Sequence, residues 1–372
     1  MKVLILVHGL FPGFSAPAGK EYAKNLHRLG IDVAVAVIGK LSETKGADAF
    51  AFPVFVIDEP SIAKQYRKLI PIVRKFDIVH YFPGKGFELL PLFAKRTRFV
   101  MNRLSVSVTR DRLKNRVVDI LKRLQPLFYS CAIFTDEPLA RKLRPFFRKR
   151  VILLPVGYPS ELFYPNRLPP KNNDEKVLMY HGAVRPERQL DRLIRVIARL
   201  PEEYKMKIIG GGLARDEVYR RELGALAVEL GCEHRVILTN MPQELIRNEI
   251  ETAYLGLSHV PPWECYQDQF VMKTLEYLAC GLPVITTATR YNKDFQKTLG
   301  KDSILLTDGS VDDIVDKVLH AENYIVSFYK EETQKRIREH LAQYSSRFIV
   351  EHNLLNIYRS VLNGTFGSLA CD

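Results

Sequence analysis

The chain has 372 residues, of which 47% are apolar and 26% are charged, and it contains a single Trp. This composition is typical of a globular protein of about two domains, and it excludes a disordered tail, a collagen-like repeat and a small disulfide-stapled scaffold. The five cysteines are widely spaced and form no CxxC pair. We therefore expect neither a disulfide framework nor a zinc site, and we expect a cytoplasmic protein.

The first apolar run of the chain, Val3 to Val7, stops at His8 and Gly9. It is too short for a signal peptide, and no run approaches the roughly 18 apolar residues that a membrane span needs. The run is therefore predicted to be the first β-strand.

The positive charge is concentrated in the first half of the chain. Residues 1–150 carry 28 Lys and Arg against 12 Asp and Glu, a net charge of +16, whereas the remaining residues carry 27 against 30. Arginines flank an apolar stripe in residues 110–124, and six cations surround two phenylalanines in residues 141–150. Both segments can be ordinary helices with solvated edges. Their charge favours an acidic partner, and we expect a peripheral contact with anionic lipid.

Strand-like apolar runs alternate with amphipathic helical stretches along the chain, which predicts an α/β fold with parallel sheets. A helix from Ala18 to Leu29, ended by Gly30, joins the first two strands into a βαβ unit. Prolines and polar residues replace all periodicity between Tyr164 and Asn173, which indicates a linker. The predicted strands are residues 2–7, 32–38, 52–57, 77–82, 98–101, 131–135 and 150–155 before the linker, and 176–180, 205–209, 235–239, 255–260, 284–287 and 303–306 after it.

The pattern predicts a first domain over residues 1–165 and a second over residues 166–347. A last helical stretch, 348–362, ends at Asn363-Gly364. It either caps the second domain or crosses back to pack on the first, so residues 348–372 are kept separate.

The most informative segment runs from Asp268 to Ile285. It predicts a loop entering a helix near Val271, the end of that helix at Gly281, and a buried strand opened by Pro283. The free N–H groups at the helix start, on Val271, Met272, Lys273 and Thr274, can bind a phosphate, and Glu276 can accept hydrogen bonds from sugar or ribose hydroxyls. The alternative is an ordinary helix in which Lys273 and Glu276 form a solvated pair.

Residues 276–285, Glu-Tyr-Leu-Ala-Cys-Gly-Leu-Pro-Val-Ile, resemble the signature of retaining nucleotide-sugar glycosyltransferases of glycosyltransferase family four. The resemblance implies the GT-B architecture, two Rossmann-like domains facing across a cleft. In that family two glutamates separated by seven residues contact the donor. Glu276 matches the second, which binds the ribose, and Asp268 stands at the first, so the resemblance makes these two residues the catalytic pair. Glu264 is the alternative first carboxylate.

A second match, His181 to Leu190, directly follows a predicted strand. The family pattern has Gly-Arg and, five residues on, Lys-Gly, and its two cations neutralise the donor diphosphate. Gly182 is retained and Arg188 stands at the Lys position, but Ala183 replaces the Arg. Arg185 from the same loop is the predicted replacement.

Weaker matches extend the resemblance over nearly the whole chain. In the first half, Gly19 is the retained member of a glycine pair at the donor phosphates, and His80 ends a strand on the acceptor side. The first-domain His that often follows the fifth strand is absent from residues 98–105. In the second half, Gly210, Asn240 and Met241 fall at the nucleotide base and ribose, and the loop with Trp263, Glu264 and Asp268 falls at the donor sugar.

Together these features imply a retaining hexosyltransferase that uses a nucleotide-sugar donor and a lipid-linked or cell-envelope glycan acceptor. The chain has no Asp-x-Asp motif, so we expect no cofactor and no metal; Arg185, Arg188 and the helix start would balance the charge of the leaving group. A nucleotide-sugar epimerase of the same fold and a non-enzymatic polyanion-binding protein remain alternatives. A nicotinamide-dependent dehydrogenase is disfavoured because the glycines after strand one do not form G-x-G-x-x-G.

Overall fold

The computed structural model describes residues 1–8, 17–39, 50–83, 87, 89–103, 128–135, 137, 140–141, 151–165, 175–210, 214–268 and 271–365. The loop after the first strand, the basic segment 110–124 and nearly all of the basic segment 141–150 lie outside these residues, as does most of the predicted linker. The predictions made for these segments stay predictions.

The chain divides into two compact units. The first contains Met1–Gly157 together with Tyr344–Asp372, and the second contains Tyr158–Gln343. The predicted boundary at residue 165 therefore falls a few residues inside the second unit. The C-terminal segment groups with the first unit.

The described strands of the first unit form one seven-stranded sheet in the order β3-β2-β1-β4-β5-β6-β7, and all their pairings are parallel. This order places β1 between two strands whose connections run in opposite directions, as in doubly wound Rossmann-type sheets. The strands are β1 (Lys2–His8), β2 (Asp32–Ile38), β3 (Val54–Ile57), β4 (Ile78–Tyr81), β5 (Arg98–Arg103), β6 (Cys131–Phe134) and β7 (Val151–Leu153), and the helices are α1 (Pro17–Arg28) and α2 (Ile62–Val73).

Strand β1 shows why its sequence is a continuous apolar run. Successive side chains of a strand point to opposite faces, and a parallel sheet is covered on both. Val3, Ile5 and Val7 belong to the cluster that contains α1, whereas Leu4 and Leu6 belong to the cluster that contains α2. Every position from 3 to 7 is therefore buried.

The second unit repeats this architecture. Its described strands form a parallel six-stranded sheet in the order β10-β9-β8-β11-β12-β13. The prediction of two Rossmann-like α/β domains is thus confirmed. The strands are β8 (Lys176–His181), β9 (Tyr204–Ile209), β10 (Val236–Thr239), β11 (Leu255–Ser258), β12 (Val284–Thr287) and β13 (Leu305–Thr307), and the helices are α3 (Asp191–Arg199), α4 (Ala214–Glu229), α5 (Gln243–Thr252), α6 (Met272–Ala279), α7 (Arg290–Leu299), α8 (Val311–Leu319), α9 (Glu322–Phe328) and α10 (Glu331–Ala342).

The C-terminal segment packs on the first unit, which is the second of the two arrangements that the sequence leaves open. It consists of a short helix (Ser346–Phe348), a π-helical stretch (Ile349–Leu354) and α11 (Leu355–Asn363). Ser346 Oγ donates to Glu21 Oε2 of α1 at 3.3 Å. A Cβ on Gly157 would lie 2.5 Å from the Ser346 Cα, so the backbones are in close contact there. None of the helices in the described part of the chain has the length and apolar character needed to cross a bilayer.

Candidate functional site

The carboxyl ends of β8 and β11 define the candidate site in the second unit. These strands are neighbours at the centre of the sheet, and the chain runs from β8 to one side and from β11 to the other. Ligands of doubly wound sheets bind outside the carboxyl ends of the strands at this switch point. His181 and Gly182 lie at the end of β8, and Ser258 and His259 lie at the end of β11.

Two glycines allow the chain to approach itself closely at this edge. Gly182 and Gly210 end β8 and β9 with φ of 130° and 150°, which other residues rarely adopt. A Cβ on Gly210 would lie 1.7 Å from the carbonyl oxygen of Gly182. Both positions were singled out from the sequence, and a side chain at Gly210 would force the two loops apart.

Arg188 lies at the end of a 3₁₀ turn, Pro186–Arg188, in the loop after β8. Its guanidinium carbon lies 5.0 Å from the centroid of the Tyr266 ring. No carboxylate among the described residues pairs with Arg188, so its charge is available to an anion.

Arg185, in contrast, is paired with a carboxylate. Its Nε lies 3.3 Å from Oδ1 of Asp216, a buried residue of α4. An arginine already paired with a buried carboxylate carries little net charge toward a ligand. The prediction that Arg185 replaces the family arginine is therefore not supported by the geometry.

Helix α6 begins at Met272, one residue beyond the predicted start. Val271 precedes it in an extended conformation and provides no side-chain cap. The Thr274 N–H donates to the Val271 carbonyl at 3.0 Å. The prediction of a free N–H on Thr274 is thus wrong, and Val271, Met272 and Lys273 remain as the candidate phosphate-binding amides.

Glu276 is buried on the second turn of α6 and contacts His181. Its Oε2 lies 2.6 Å from His181 Nε2. The His181 backbone N–H donates to the hydroxyl of Tyr277, which in turn donates to the Met179 carbonyl, both at 3.0 Å. These bonds hold the carboxylate at the end of β8. The sequence analysis included His181 in a motif but missed this contact, because the two residues are far apart in the chain.

Lys273 is also buried, with 8% of its surface exposed. Its Nζ lies 3.7 Å from the centroid of the Tyr180 ring. Burial and the nearby Arg188 charge hold the pKa of Lys273 well below its usual value, although Glu276 opposes them. The alternative of a solvated Lys273–Glu276 pair is excluded, because both residues are buried.

Arg290, at the start of α7, holds both candidate first carboxylates. Its Nε and Nη2 donate to the two oxygens of Asp268 at 2.8 and 2.6 Å, and Nη2 also contacts Glu264 at 2.7 Å. Such a bidentate pair fixes the Asp268 carboxylate. The sequence analysis did not single out Arg290.

The remaining predicted donor-side residues lie around this edge. Trp263 stacks on Tyr266 with ring centroids 6.1 Å apart and an interplanar angle of 24°. Asn240 is exposed and Met241 is half-buried, directly after β10.

The two site residues predicted in the first unit, Gly19 and His80, pack against neighbouring elements. A Cβ on Gly19 would lie 2.9 Å from Val7 Cγ1, so this glycine lets α1 lie against β1. His80 is fully buried, and its Nδ1 lies 2.8 Å from the Tyr358 hydroxyl. Both residues thus pack in the core of the first unit, and the phosphate and acceptor contacts predicted for them stay predictions.

His259 is a site residue that the sequence analysis missed. It is 3% exposed, and neither ring nitrogen has a hydrogen-bond partner. Burial and the charges of Lys273, Arg192 and Arg188 lower its pKa to about 3. Its position directly after β11 was the signal that could have identified it. In the described part of the chain, His, Cys, Asp and Glu form no group of three that could hold a metal ion.

A model of the family described as "Glycosyl transferases group 1" matches residues 167–340, which include the residues of the second unit discussed above. This match agrees with the resemblance seen in residues 181–190 and 276–285.

Two curated relatives of this chain are named D-inositol 3-phosphate glycosyltransferase. The protein of Xylanimonas cellulosilytica is 30% identical over 115 residues, which cover 31% of this chain and 26% of the relative. The protein of Mycobacteroides abscessus is 33% identical over 117 residues, which cover 31% and 25%. The chain thus aligns with about a quarter of each relative.

Solved structures show the same fold over nearly the whole chain. Anabaena HepE in complex with UDP and glucose matches with a TM-score of 0.76 and 15% identity, covering 96% of this chain and 100% of that one. Sucrose-phosphate synthase from Thermosynechococcus elongatus matches with a TM-score of 0.73 and 16% identity, covering 98% and 100%. These matches support the predicted GT-B glycosyltransferase fold.

Proposed function

We propose that this chain is a retaining glycosyltransferase that binds a nucleotide-sugar donor at the carboxyl edge of the second unit's sheet. The observation that carries the proposal is the arrangement around α6. An unpaired Arg188, a buried Lys273 and the uncapped helix start are cationic or donor groups, and Glu276 lies one turn further along the helix. This arrangement combines groups for a diphosphate with a carboxylate for hydroxyls. The family match over residues 167–340 agrees with it.

Glycosyl transfer breaks the bond between the sugar and a nucleoside diphosphate, and negative charge grows on the departing phosphate. Fixed cations and helix-terminal amides stabilise that charge without reorganising. Arg188 and the amides of Met272 and Lys273 have this role in the proposal, and no bound metal is required. Glu276, held by His181, accepts hydrogen bonds from the ribose hydroxyls.

Asp268 keeps its predicted place at the donor sugar in the proposal, beside Trp263. Because Arg290 binds both Asp268 oxygens, this carboxylate acts as an anchored hydrogen-bond acceptor. Glu264 contacts the same guanidinium through one oxygen only, and its side chain is 82% exposed. Asp268 is therefore the better candidate for the first carboxylate.

On the acceptor side we propose a lipid-linked or cell-envelope glycan, reached at the inner face of the cell membrane. The support is the net charge of +16 over residues 1–150. A surface of this sign attracts anionic lipid headgroups. Flotation with anionic and neutral vesicles at low salt tests it, and equal recovery with both removes the membrane contact from the proposal.

The test of the donor site is a panel of nucleotide sugars, beginning with UDP-glucose because HepE was solved with UDP and glucose. We expect at least one donor to raise the unfolding temperature and to be slowly hydrolysed. Glu276→Gln should weaken binding of that donor by about 10- to 100-fold, since charge-assisted hydrogen bonds to hydroxyls are lost.

Glu332→Gln, which neutralises an exposed carboxylate of α10, is the matched control and should bind as the wild type does. If no nucleotide sugar binds, or if Glu276→Gln binds as tightly as the control, the donor-site assignment is wrong. An epimerase would convert the donor sugar without any acceptor, so product analysis separates that alternative.

A further inference from the structure

The amino group of Lys273 lies over the Tyr180 ring and has no carboxylate partner among the described residues. The described residues offer no carboxylate within salt-bridge distance of its Nζ, although the side chain is buried. Glu276, on the same helix, is engaged with His181 at 2.6 Å. Asp216 is engaged with Arg185. Burial without a carboxylate partner disfavours the charged form and lowers the pKa of Lys273, and a bound anion would offset this cost.

The Lys273 ammonium reaches the loop that follows β8. A Cβ on Gly182 would lie 3.5 Å from Lys273 Nζ, so the ammonium lies beside the first residue of that loop. The next residue is Ala183, where the family resemblance expects an arginine. Lys273 therefore brings a cation from α6 to the loop in which the expected arginine is missing.

A second observation at the same edge also points to an anion-binding site. His259 directly follows β11, and both its ring nitrogens are buried without a hydrogen-bond partner. The charges that act on His259 come from Lys273, Arg192 and Arg188, and all of them are positive. Of these, Arg192 donates to the Gly309 carbonyl at 2.7 Å. Buried polar atoms in native proteins are nearly always satisfied, so a cationic cluster with an unsatisfied imidazole indicates a site for an anionic ligand.

We infer that the side chain of Lys273, together with Arg188, binds the diphosphate of the donor and thereby replaces the arginine that the family carries at position 183. This inference rests on the proposed function. It assigns Lys273 as the second cation, beside Arg188, that binds the phosphates of the donor. The ammonium approaches from α6 instead of from the loop after β8. An ammonium is a compact point charge, so it can take this role from a different direction.

The test compares the full-length wild type with Lys273→Met, with the double variant Lys273→Met/Ala183→Arg, and with Lys293→Met. Lys293 is an exposed lysine of α7, so its variant controls for the loss of one positive charge. Each protein is titrated calorimetrically with inorganic pyrophosphate and with UDP, GDP and ADP. We expect Lys273→Met to bind the tightest of these ligands about 10- to 100-fold more weakly. Lys293→Met should match the wild type, and the double variant should recover at least tenfold of the loss.

Unfolding temperatures without ligand separate a binding role from a structural one. Removal of an uncompensated buried charge should leave the unfolding temperature of Lys273→Met equal to that of the wild type or above it. A fall of several degrees shows that Lys273 is needed for folding and overturns the inference.

Three further outcomes are decisive. If wild type and Lys273→Met bind a nucleoside diphosphate equally well, Lys273 is not a phosphate ligand, while the proposed function stands. If the double variant binds as weakly as Lys273→Met, the replacement of an arginine at position 183 is refuted. If the wild type binds none of the four ligands, the proposed function itself fails, and the inference fails with it.

Discussion

At the scale of single residues, His80 of β4 shows how burial controls the charge state of a histidine. His80 is fully buried, and its contacts are the Tyr358 hydroxyl and the rings of Tyr22 and Phe82. Desolvation by burial lowers its pKa to about 3. Such a residue is a packing element, and its charge state matters for stability.

We predict that the first unit loses stability as the pH falls from 7 to 4. The unfolded chain binds a proton at His80 below pH 6.5, whereas the folded chain does not bind one until about pH 3. The unfolded state therefore gains protons first, and the loss reaches about 3 kcal/mol at pH 4 at about 1.4 kcal/mol per pH unit. Urea denaturation of the wild type and of His80→Phe at several pH values measures this effect. The variant should show the shallower dependence, and identical slopes contradict the prediction.

At the scale of secondary-structure elements, the ends of the strands require glycine where two loops leave the sheet side by side. Gly182 follows β8 and Gly210 follows β9. The two backbones lie so close together that a Cβ on Gly210 would be 1.7 Å from the Gly182 carbonyl oxygen. Helix α1 needs Gly19 for a different reason, since a side chain there would press on β1. The same residue type thus has a conformational role in one unit and a packing role in the other.

Gly210→Ala should destabilise the second unit by more than about 3 kcal/mol, because its Cβ would overlap the Gly182 carbonyl and a backbone cannot give way cheaply. The matched control is Gly231→Ala. Gly231 also has a positive φ, 69°, but a Cβ there meets nothing within 4 Å. Gly231→Ala should lower the free energy of unfolding by only about 1 kcal/mol, because it adds backbone strain and no steric overlap. Chemical denaturation of both variants measures the difference, and equal costs contradict the steric explanation.

At the scale of the whole molecule, the C-terminal segment packs into the hydrophobic core that β1 and α1 form. Ile349, Val350, Leu354 and Tyr358 of the C-terminal segment belong to the same core cluster as β1 and α1. These side chains cover the face of the first sheet on which α1 lies. The first unit is therefore built from both ends of the sequence.

A chain truncated after Gln343 should retain the folded second unit and lose the folded first unit, because the face of α1 that packs on this segment becomes exposed. Differential scanning calorimetry should show a smaller unfolding enthalpy than for the full chain, with nucleotide binding retained in the second unit. A truncated chain that unfolds with the full enthalpy of the parent contradicts this view of the first unit.

The local sequence was sufficient to predict every described strand to within about two residues. Strands buried on both faces are continuous apolar runs, and Gly and Pro mark where they end. The same local reading located α6 and its end at Gly281, since these depend on residues close together in the chain. The Rossmann-like fold class followed from the alternation of the elements.

The tertiary structure alone decided which charges are paired and which remain available. Arg185 pairs with Asp216, Arg290 with Asp268 and Glu264, and His181 with Glu276, whereas Lys273 lies over the Tyr180 ring and has no carboxylate partner among the described residues. These partners are brought together by the order of the strands in the sheet and by the packing of helices at its carboxyl edge. Residue spacing along the chain carries no information about such contacts, because each joins elements that are separated by at least one complete strand or helix.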